Sequence, residues 1–178
     1  MELRRETHPG KLNVTFTRGF ISSQAFVERF APDGKISTLV PETAKDGLSF
    51  KATHERAEEA HHWMGFEARE AVLAALDAAI KQKAEVRVIA YDLNLPEILT
   101  RLEDLGPRLK IIIDDSAAKV GGHKAADSPE SKSERRLIKS AGKANVLRQH
   151  MGGLQHHKAI AVSAPGTKIV VYGSTNFT

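Results

Sequence analysis

Apolar residues recur along the chain at intervals that distinguish helices from strands. From about Thr53 to Lys83 they return every three or four positions, which predicts an amphipathic helix. Gly65 is expected to divide this helix into two. The apolar stripe consists of Ala68, Ala71, Val72, Ala75 and Ala79.

Two short apolar runs flank a second helical pattern further along the chain. The runs Val86 to Tyr91 and Leu109 to Ile113 lack clean alternation, which is typical of buried parallel strands. Between them, Pro96 to Leu105 has helical spacing, with Asn94 and Glu97 placed as a capping box. Strand, helix and strand in this order predict a right-handed βαβ unit with parallel strands.

The last third of the chain predicts one more helix and three strands. Ser128 and Pro129 open a polar helix that runs to about Ala141, and Asn145 to Arg148 suggests a short strand. Two further strands, Lys158 to Val162 and Lys168 to Tyr172, should form a hairpin. The type II turn between them uses Pro165 and Gly166. The predicted fold class is therefore α/β, a mixed or parallel sheet with helices on both faces.

The first 50 residues give a weaker pattern. Leu12 to Thr17 and Lys35 to Val40 are predicted strands, separated by the turn-forming residues Ala31 to Gly34. Residues 1–60 are therefore taken as an N-terminal segment and residues 61–178 as the main domain.

Composition is that of an ordinary globular protein. The chain has 178 residues, of which 41% are hydrophobic and 27% charged, which excludes disordered and collagenous classes. There is no run of about 20 apolar residues that could span a membrane, and the N-terminus lacks the features of a secretory signal. A cytoplasmic location is therefore expected. With no cysteine, thiol nucleophiles and zinc–thiolate sites are excluded.

The positive charge is concentrated in one segment. The formal net charge is +4, but residues 116–158 contain nine basic and three acidic side chains. Such a segment favours a partner that carries phosphate, although a solvated helix face next to an exposed loop would have the same composition. Its basic residues before the hairpin are Lys119, Lys124, Lys132, Arg135, Arg136, Lys139, Lys143 and Arg148.

Four polar side chains flank the predicted hairpin. His156 and Lys158 lie on one face where the hairpin begins, and Ser174 and Asn176 follow where it ends. Because hairpin geometry brings these ends together, the four groups should converge. An imidazole that attacks phosphorus, together with an ammonium and a carboxamide that bind the phosphoryl oxygens, suits phosphoryl transfer.

These residues resemble a known signature. His156-x-Lys158 followed by Gly173-Ser174-x-Asn176 is similar to the phospholipase D superfamily pattern, written His-x-Lys-x4-Asp and then Gly-Ser-x-Asn. The resemblance covers roughly residues 63 to 178. It implies one phospholipase D-like half-domain.

The resemblance also implies an activity. Family members are phosphodiesterases in which the histidine of one motif forms a phosphohistidine and the histidine of a second motif protonates the leaving group. His156 would be the nucleophile or its acid partner, Lys158 and Asn176 would bind phosphate, and Ser174 would assist. No cofactor and no metal is implied. The alternative that His61, His62, His150, His156 or His157 are metal ligands lacks a familiar metal-site spacing.

The sequence departs from the family pattern in two ways. Ser163 stands where the motif has Asp. Only one motif is present and the chain stops at Thr178, so we expect either a missing C-terminal half or a homodimer that shares two copies of His156.

Within the implied class, the basic segment favours a nuclease over the alternative of a phospholipase acting on phospholipid headgroups. The other alternative is a non-catalytic phosphate-binding or interaction module. Asp114 and Asp115 follow a predicted strand, so they either line the site or cap a loop.

Overall fold

The computed structural model describes residues 7–8, 12–17, 24–117, 122–150 and 156–178. Lys119 of the predicted basic segment lies outside these ranges. The chain forms two compact units: the first falls within Met1–Leu39 and Ala52–Val72, and the second within Val40–Lys51 and Leu73–Thr178. None of the helices in the described part combines the length and apolar character that a membrane span requires.

The first unit contains a small antiparallel ladder and helices. Strands β1 (Thr7–His8) and β2 (Leu12–Asn13) pair, and helix α1 (Gln24–Phe30) follows them. Helix α2 (Ala57–Lys81) begins in this unit. Its backbone is non-helical at Phe66, with φ 43°, so the predicted interruption falls one residue after Gly65.

Both strands predicted near the N-terminus need correction. The first ends at Asn13, and the Phe16 carbonyl accepts a hydrogen bond from the Ala68 amide instead of a strand partner. Lys35 to Val40 is not a strand, since Ile36–Thr38 forms a 3₁₀ turn. The Thr38 amide and hydroxyl both donate to the Lys35 carbonyl, so local bonding outweighs the extended pattern.

The second unit is built on a five-stranded mixed sheet. In chain order the strands are β3 (Glu85–Ala90), β4 (Leu109–Asp114), β5 (Val146–Gln149), β6 (Ala159–Ala164) and β7 (Thr167–Tyr172). Their order across the sheet is β5-β4-β3-β6-β7. The predicted parallel pairing of β3 and β4 is confirmed, as is the β6–β7 hairpin, whose Gly166 has φ +75°.

Two helices connect the parallel strands. Helix α3 (Pro96–Leu105) joins β3 to β4, and helix α4 (Pro129–Ala141) joins β4 to β5. Short 3₁₀ turns lie at Ala44–Ser49, Gly106–Arg108 and Lys143–Asn145. The α3 and α4 boundaries match the predicted ones. The predicted Asn94 cap is wrong, because Leu95 occupies the N-cap position. The side-chain amide of Asn94 instead donates to the Ala44 carbonyl.

One face of the sheet forms the core. The alternating residues Val86, Val88, Leu109, Ile111 and Ile160 are buried, as is the apolar stripe of α3. On the opposite face the side chains of Leu147, Val170 and Tyr172 are 51%, 64% and 77% exposed. The expected helices on both faces are therefore not found in the described chain. Two successive right-handed crossovers in the same direction across the sheet place α3 and α4 on the same side.

Candidate active site

The topology brings five strand ends to one edge of the sheet. β3, β4 and β5 are parallel and end there, β6 runs antiparallel to β3 and begins there, and β7 returns to it. The Gly173 amide donates to the Lys158 carbonyl over 3.3 Å, which continues the β6–β7 pairing beyond the strands. The segments that carry His156 and Asn176 therefore lie at the same edge, as the sequence predicts.

The side chains of His156 and Lys158 both contact Tyr91, which follows β3. The His156 and Tyr91 rings are 4.3 Å apart between centroids in an edge-to-face arrangement. The Lys158 Nζ lies 5.1 Å from the centre of the Tyr91 ring and donates to the His156 carbonyl over 2.7 Å. The structure thus brings the predicted imidazole and ammonium together on one aromatic ring.

Lys158 is a buried cation. The residue is only 3% exposed, and burial lowers the pKa of its ammonium group, while nearby Asp92 acts in the opposite direction. Within the described residues, Nζ has no carboxylate within 4 Å, and only one of its three donors has a partner. The remaining donors are available to an anion.

Ser174 and Asn176 occupy the segment that leaves β7. The segment is fastened to the end of β3, since the Phe177 carbonyl accepts from the Asn94 and Leu95 amides, each over 3.0 Å. The Asn176 Oδ1 is buried without a hydrogen-bond partner among the described residues, whereas Ser174 is exposed. No hydrogen bond joins either side chain to His156 within the described chain.

Ser163 lies far from this edge. It belongs to the other end of β6, is exposed, and pairs with Glu85 and Lys168. At about 3.3 Å per residue, five residues of strand separate it from Lys158 by roughly 16 Å. The Ser in place of Asp therefore removes no group from the neighbourhood of His156.

Sequence reasoning missed His123, which is held between two carboxylates at the same edge. Its Nε2 lies 2.9 Å from Asp92 Oδ1 and its Nδ1 lies 2.7 Å from Asp114 Oδ2. The hydrogen bond with Asp92 is the main cause that raises the pKa of His123 to about 9, and burial opposes it. The imidazole is therefore a cation at neutral pH.

Asp114 was predicted either to line the site or to cap a loop, and its Oδ2 accepts a hydrogen bond from the Ser116 amide, so it caps the loop that follows β4. Burial alone would raise the pKa of Asp114, but hydrogen bonds from Ser116 and His123 outweigh it and lower the pKa. Its Oδ1 lies 3.7 Å from His150 Nδ1. In the sequence, an aspartate at the end of a predicted strand indicates a candidate site residue, and both Asp114 and Asp92 have this position. His123 lies in a glycine-rich loop, where the sequence gives no such indication.

One group of side chains in the described chain has the composition of a metal site. Asp92, His123 and Glu130 each offer one ligand atom, and these atoms lie within 4.8 Å of one another. Glu130 is buried, which raises its pKa, and its Oε1 accepts from the Leu93 amide. Both His123 nitrogens already contact carboxylates, those of Asp92 and Asp114, so these side chains also form an ion network without a metal.

Two of the five histidines that were considered as metal ligands, His61 and His62, contact other groups. His61 Nε2 lies 2.9 Å from the Leu39 carbonyl, and His62 Nδ1 lies 3.1 Å from Glu70. Neither belongs to a group of metal-ligating side chains in the described chain.

The predicted basic segment divides into internal and surface residues. Arg148 is internal, with its side chain 10% exposed and its guanidinium bonded to Asp115 and the His123 carbonyl. Asp115 therefore belongs to this ion pair. The surface part follows α4, where four basic residues line a shallow groove together with Ile138: Lys132, Arg135, Arg136 and Lys139.

The sequence matches no protein-family model, and no curated protein matches it.

Proposed function

We propose that this protein is a phosphodiesterase of the phospholipase D type, in which His156 is the nucleophile. The observation that carries the proposal is the meeting of two segments at one sheet edge: His156 and Lys158 before β6, and Ser174 and Asn176 after β7. This is the arrangement in which an imidazole and phosphate-binding groups can act on one phosphorus atom.

The proposed reaction has two steps. In the first, a ring nitrogen of His156 attacks phosphorus, a P–N bond forms, and the bond from phosphorus to the leaving oxygen breaks. In the second, water attacks phosphorus, the P–N bond breaks, and His156 is regenerated with a phosphomonoester as product. The leaving oxygen takes its proton from a second histidine, which we assign to His156 of a second copy in a homodimer. In the second step this histidine, now deprotonated, accepts a proton from the attacking water and returns to its starting state.

Charge in this reaction is stabilised by the chain's own groups. Lys158 has free donors in a buried setting, where an ammonium–phosphate interaction is stronger than in water. Asn176 and Ser174 supply further polar contacts to the non-bridging oxygens. Ser163 does not oppose this assignment, because it stands at the remote end of β6.

We further propose a nucleic acid as the substrate, in preference to a phospholipid. Support comes from Arg135 and Lys139, which are exposed one turn apart along the groove on α4 and would contact neighbouring phosphates of a polymer. Arg136 of the same groove is paired with Glu103. Helix α4 begins at the edge of the sheet where His156 and Lys158 lie, and the carboxylate of Glu130 in its first turn lies beside His123. The helix runs away from that edge.

The test is hydrolysis of bis(p-nitrophenyl) phosphate in the presence of EDTA, with the mass in solution recorded. We expect activity in the wild-type protein, a loss of at least about 100-fold in His156→Ala, and little change in His157→Ala. His157 is a matched control because it is adjacent and exposed. Phosphate binding without hydrolysis in a folded dimer would instead indicate a non-catalytic module.

A further inference from the structure

We infer that Tyr91 is a positioning residue for His156 and that an Asp92–His123–Asp114 clamp holds Tyr91 in place. The inference rests on the proposed function, which makes His156 the nucleophile. It adds a second layer of residues that neither the motif nor the reaction scheme contains.

The clamp fixes His123 by both its ring and its backbone. The ring nitrogens contact Asp92 and Asp114 at 2.9 and 2.7 Å. The His123 carbonyl accepts from the Arg148 guanidinium and from the Ser128 hydroxyl, each over 2.6 Å. The two ring contacts restrict the side-chain rotamer and the two carbonyl contacts hold the backbone, so the imidazole has a defined orientation.

The same contacts argue against a direct chemical role for His123. Both ring nitrogens are engaged with carboxylates, and the side chain is only 15% exposed. A group that transfers protons to a substrate needs a nitrogen within hydrogen-bond reach of it. His123 must therefore act through a neighbour.

That neighbour is Tyr91. The rings of His123 and Tyr91 are 4.6 Å apart between centroids in an edge-to-face arrangement. On the same Tyr91 ring lie His156, at 4.3 Å, and the ammonium of Lys158, at 5.1 Å. An aromatic ring that contacts two histidine rings and an ammonium fixes their relative positions by ring geometry and by cation–π attraction to the ammonium.

His156 needs such support because little else holds it. The residue is exposed and precedes β6, and among the described residues its side chain has no hydrogen-bond or ion-pair partner, so the edge-to-face contact with Tyr91 is the interaction that orients its ring. The Tyr91 hydroxyl makes no hydrogen bond to any described residue, so the ring rather than the phenol group provides the contact. Tyr91→Phe is therefore the conservative variant and Tyr91→Leu the disruptive one.

The first readout is steady-state hydrolysis of bis(p-nitrophenyl) phosphate. We expect Tyr91→Leu to lower kcat by about 10- to 100-fold with KM changed less than about threefold, since misplacing a nucleophile affects the chemical step. Tyr91→Phe should stay within about twofold of wild type. Tyr172→Leu is the matched control, because Tyr172 is 77% exposed on β7.

The second readout does not depend on activity. Proton NMR of the His156 ring, assigned with His156→Ala, should show a ring-current shift in wild type and Tyr91→Phe. The shift should disappear in Tyr91→Leu and diminish in His123→Asn. An unchanged His156 shift in a folded Tyr91→Leu variant would overturn the inference. An inactive wild type that keeps the shift would overturn the proposed function and leave the contact established.

Discussion

At the scale of single residues, the informative group is a buried ammonium without a carboxylate partner. Lys158 is 3% exposed, and within the described chain it has one hydrogen bond and the face of Tyr91. Burying such a charge costs free energy that the folded protein must recover elsewhere. A structural side chain would not need this charge, whereas a phosphate-binding one does.

Lys158→Met is therefore expected to separate stability from function. Methionine fills a similar volume without the charge, so the free energy of unfolding should change by less than about 1 kcal/mol or increase. Hydrolysis should fall at least about 100-fold. Urea denaturation and the bis(p-nitrophenyl) phosphate assay measure the two effects, with the exposed Lys168→Met as control. A Lys158→Met variant with normal activity would refute the phosphate-binding role.

The His123 clamp predicts a specific pH dependence of stability. The folded-state pKa of His123 is raised to about 9 from an ordinary value of 6.5, so the folded protein holds this proton more tightly than the unfolded chain. The stabilisation that the folded protein gains from the protonated His123 is complete below about pH 6.5 and is lost as the pH rises to about 9.

Urea denaturation between pH 6 and 9.5 measures this effect. The wild-type free energy of unfolding should fall by about 3 kcal/mol relative to that of His123→Asn over this interval. Parallel pH profiles for the two proteins would show that His123 is not a clamped cation.

At the residue scale the sequence located part of the site. His156, Lys158, Ser174 and Asn176 belong to a recognisable local pattern, and a hairpin needs only local information to bring its two ends together. Tyr91 and His123 come from separate segments, and only the parallel order of the strands reveals that they meet.

At the scale of elements, the boundaries of helices and strands can be predicted from the local sequence when the tertiary structure does not give the same side chains other partners. For α4, Ser128 acts as the predicted cap and its Oγ accepts from the Ser131 amide over 3.1 Å. For α3, the predicted Asn94 cap fails because the Asn94 side chain bonds to Ala44 instead, 50 residues away along the chain. Such a partner cannot be inferred from the local pattern.

Ser128→Ala should lower stability by about 1 kcal/mol or more. The substitution removes both the cap of α4 and the hydrogen bond to the His123 carbonyl. Ser140→Ala is the control, since this serine lies inside α4 and bonds only to the Leu137 carbonyl of the same helix. Thermal denaturation of both variants tests the prediction, which equal melting temperatures would contradict.

At the scale of the whole molecule, strand order determines which side chains meet and which face is left open. The βαβ unit and the hairpin were both predictable, but the antiparallel pairing of β6 with β3 was not, because it joins residues at least 70 positions apart. That pairing brings Tyr91 next to His156. Leu147, Val170 and Tyr172 lie exposed on the sheet face opposite the buried residues.

The proposed nucleic-acid substrate predicts salt-dependent binding that follows α4. Arg135→Glu combined with Lys139→Glu should weaken binding of a DNA duplex and reduce the slope of log K against log salt by about 2, one for each lost phosphate contact. Lys168→Glu, at the far end of β7, makes the same kind of charge change away from the groove. Fluorescence anisotropy between 50 and 200 mM salt measures the binding. If Lys168→Glu weakens DNA binding as much as the double substitution on α4 does, the basic residues of α4 are not the DNA-binding surface.

The central claim, that His156 attacks phosphorus, is tested most directly by trapping the covalent intermediate. The protein is mixed with bis(p-nitrophenyl) phosphate, quenched at alkaline pH during the first turnover, and mapped by peptide mass spectrometry. The account predicts one p-nitrophenyl phosphoryl group on His156, present in His157→Ala and absent in His156→Ala. A phosphoryl group on another residue, or a His156→Ala variant that hydrolyses the substrate at the wild-type rate, would contradict it.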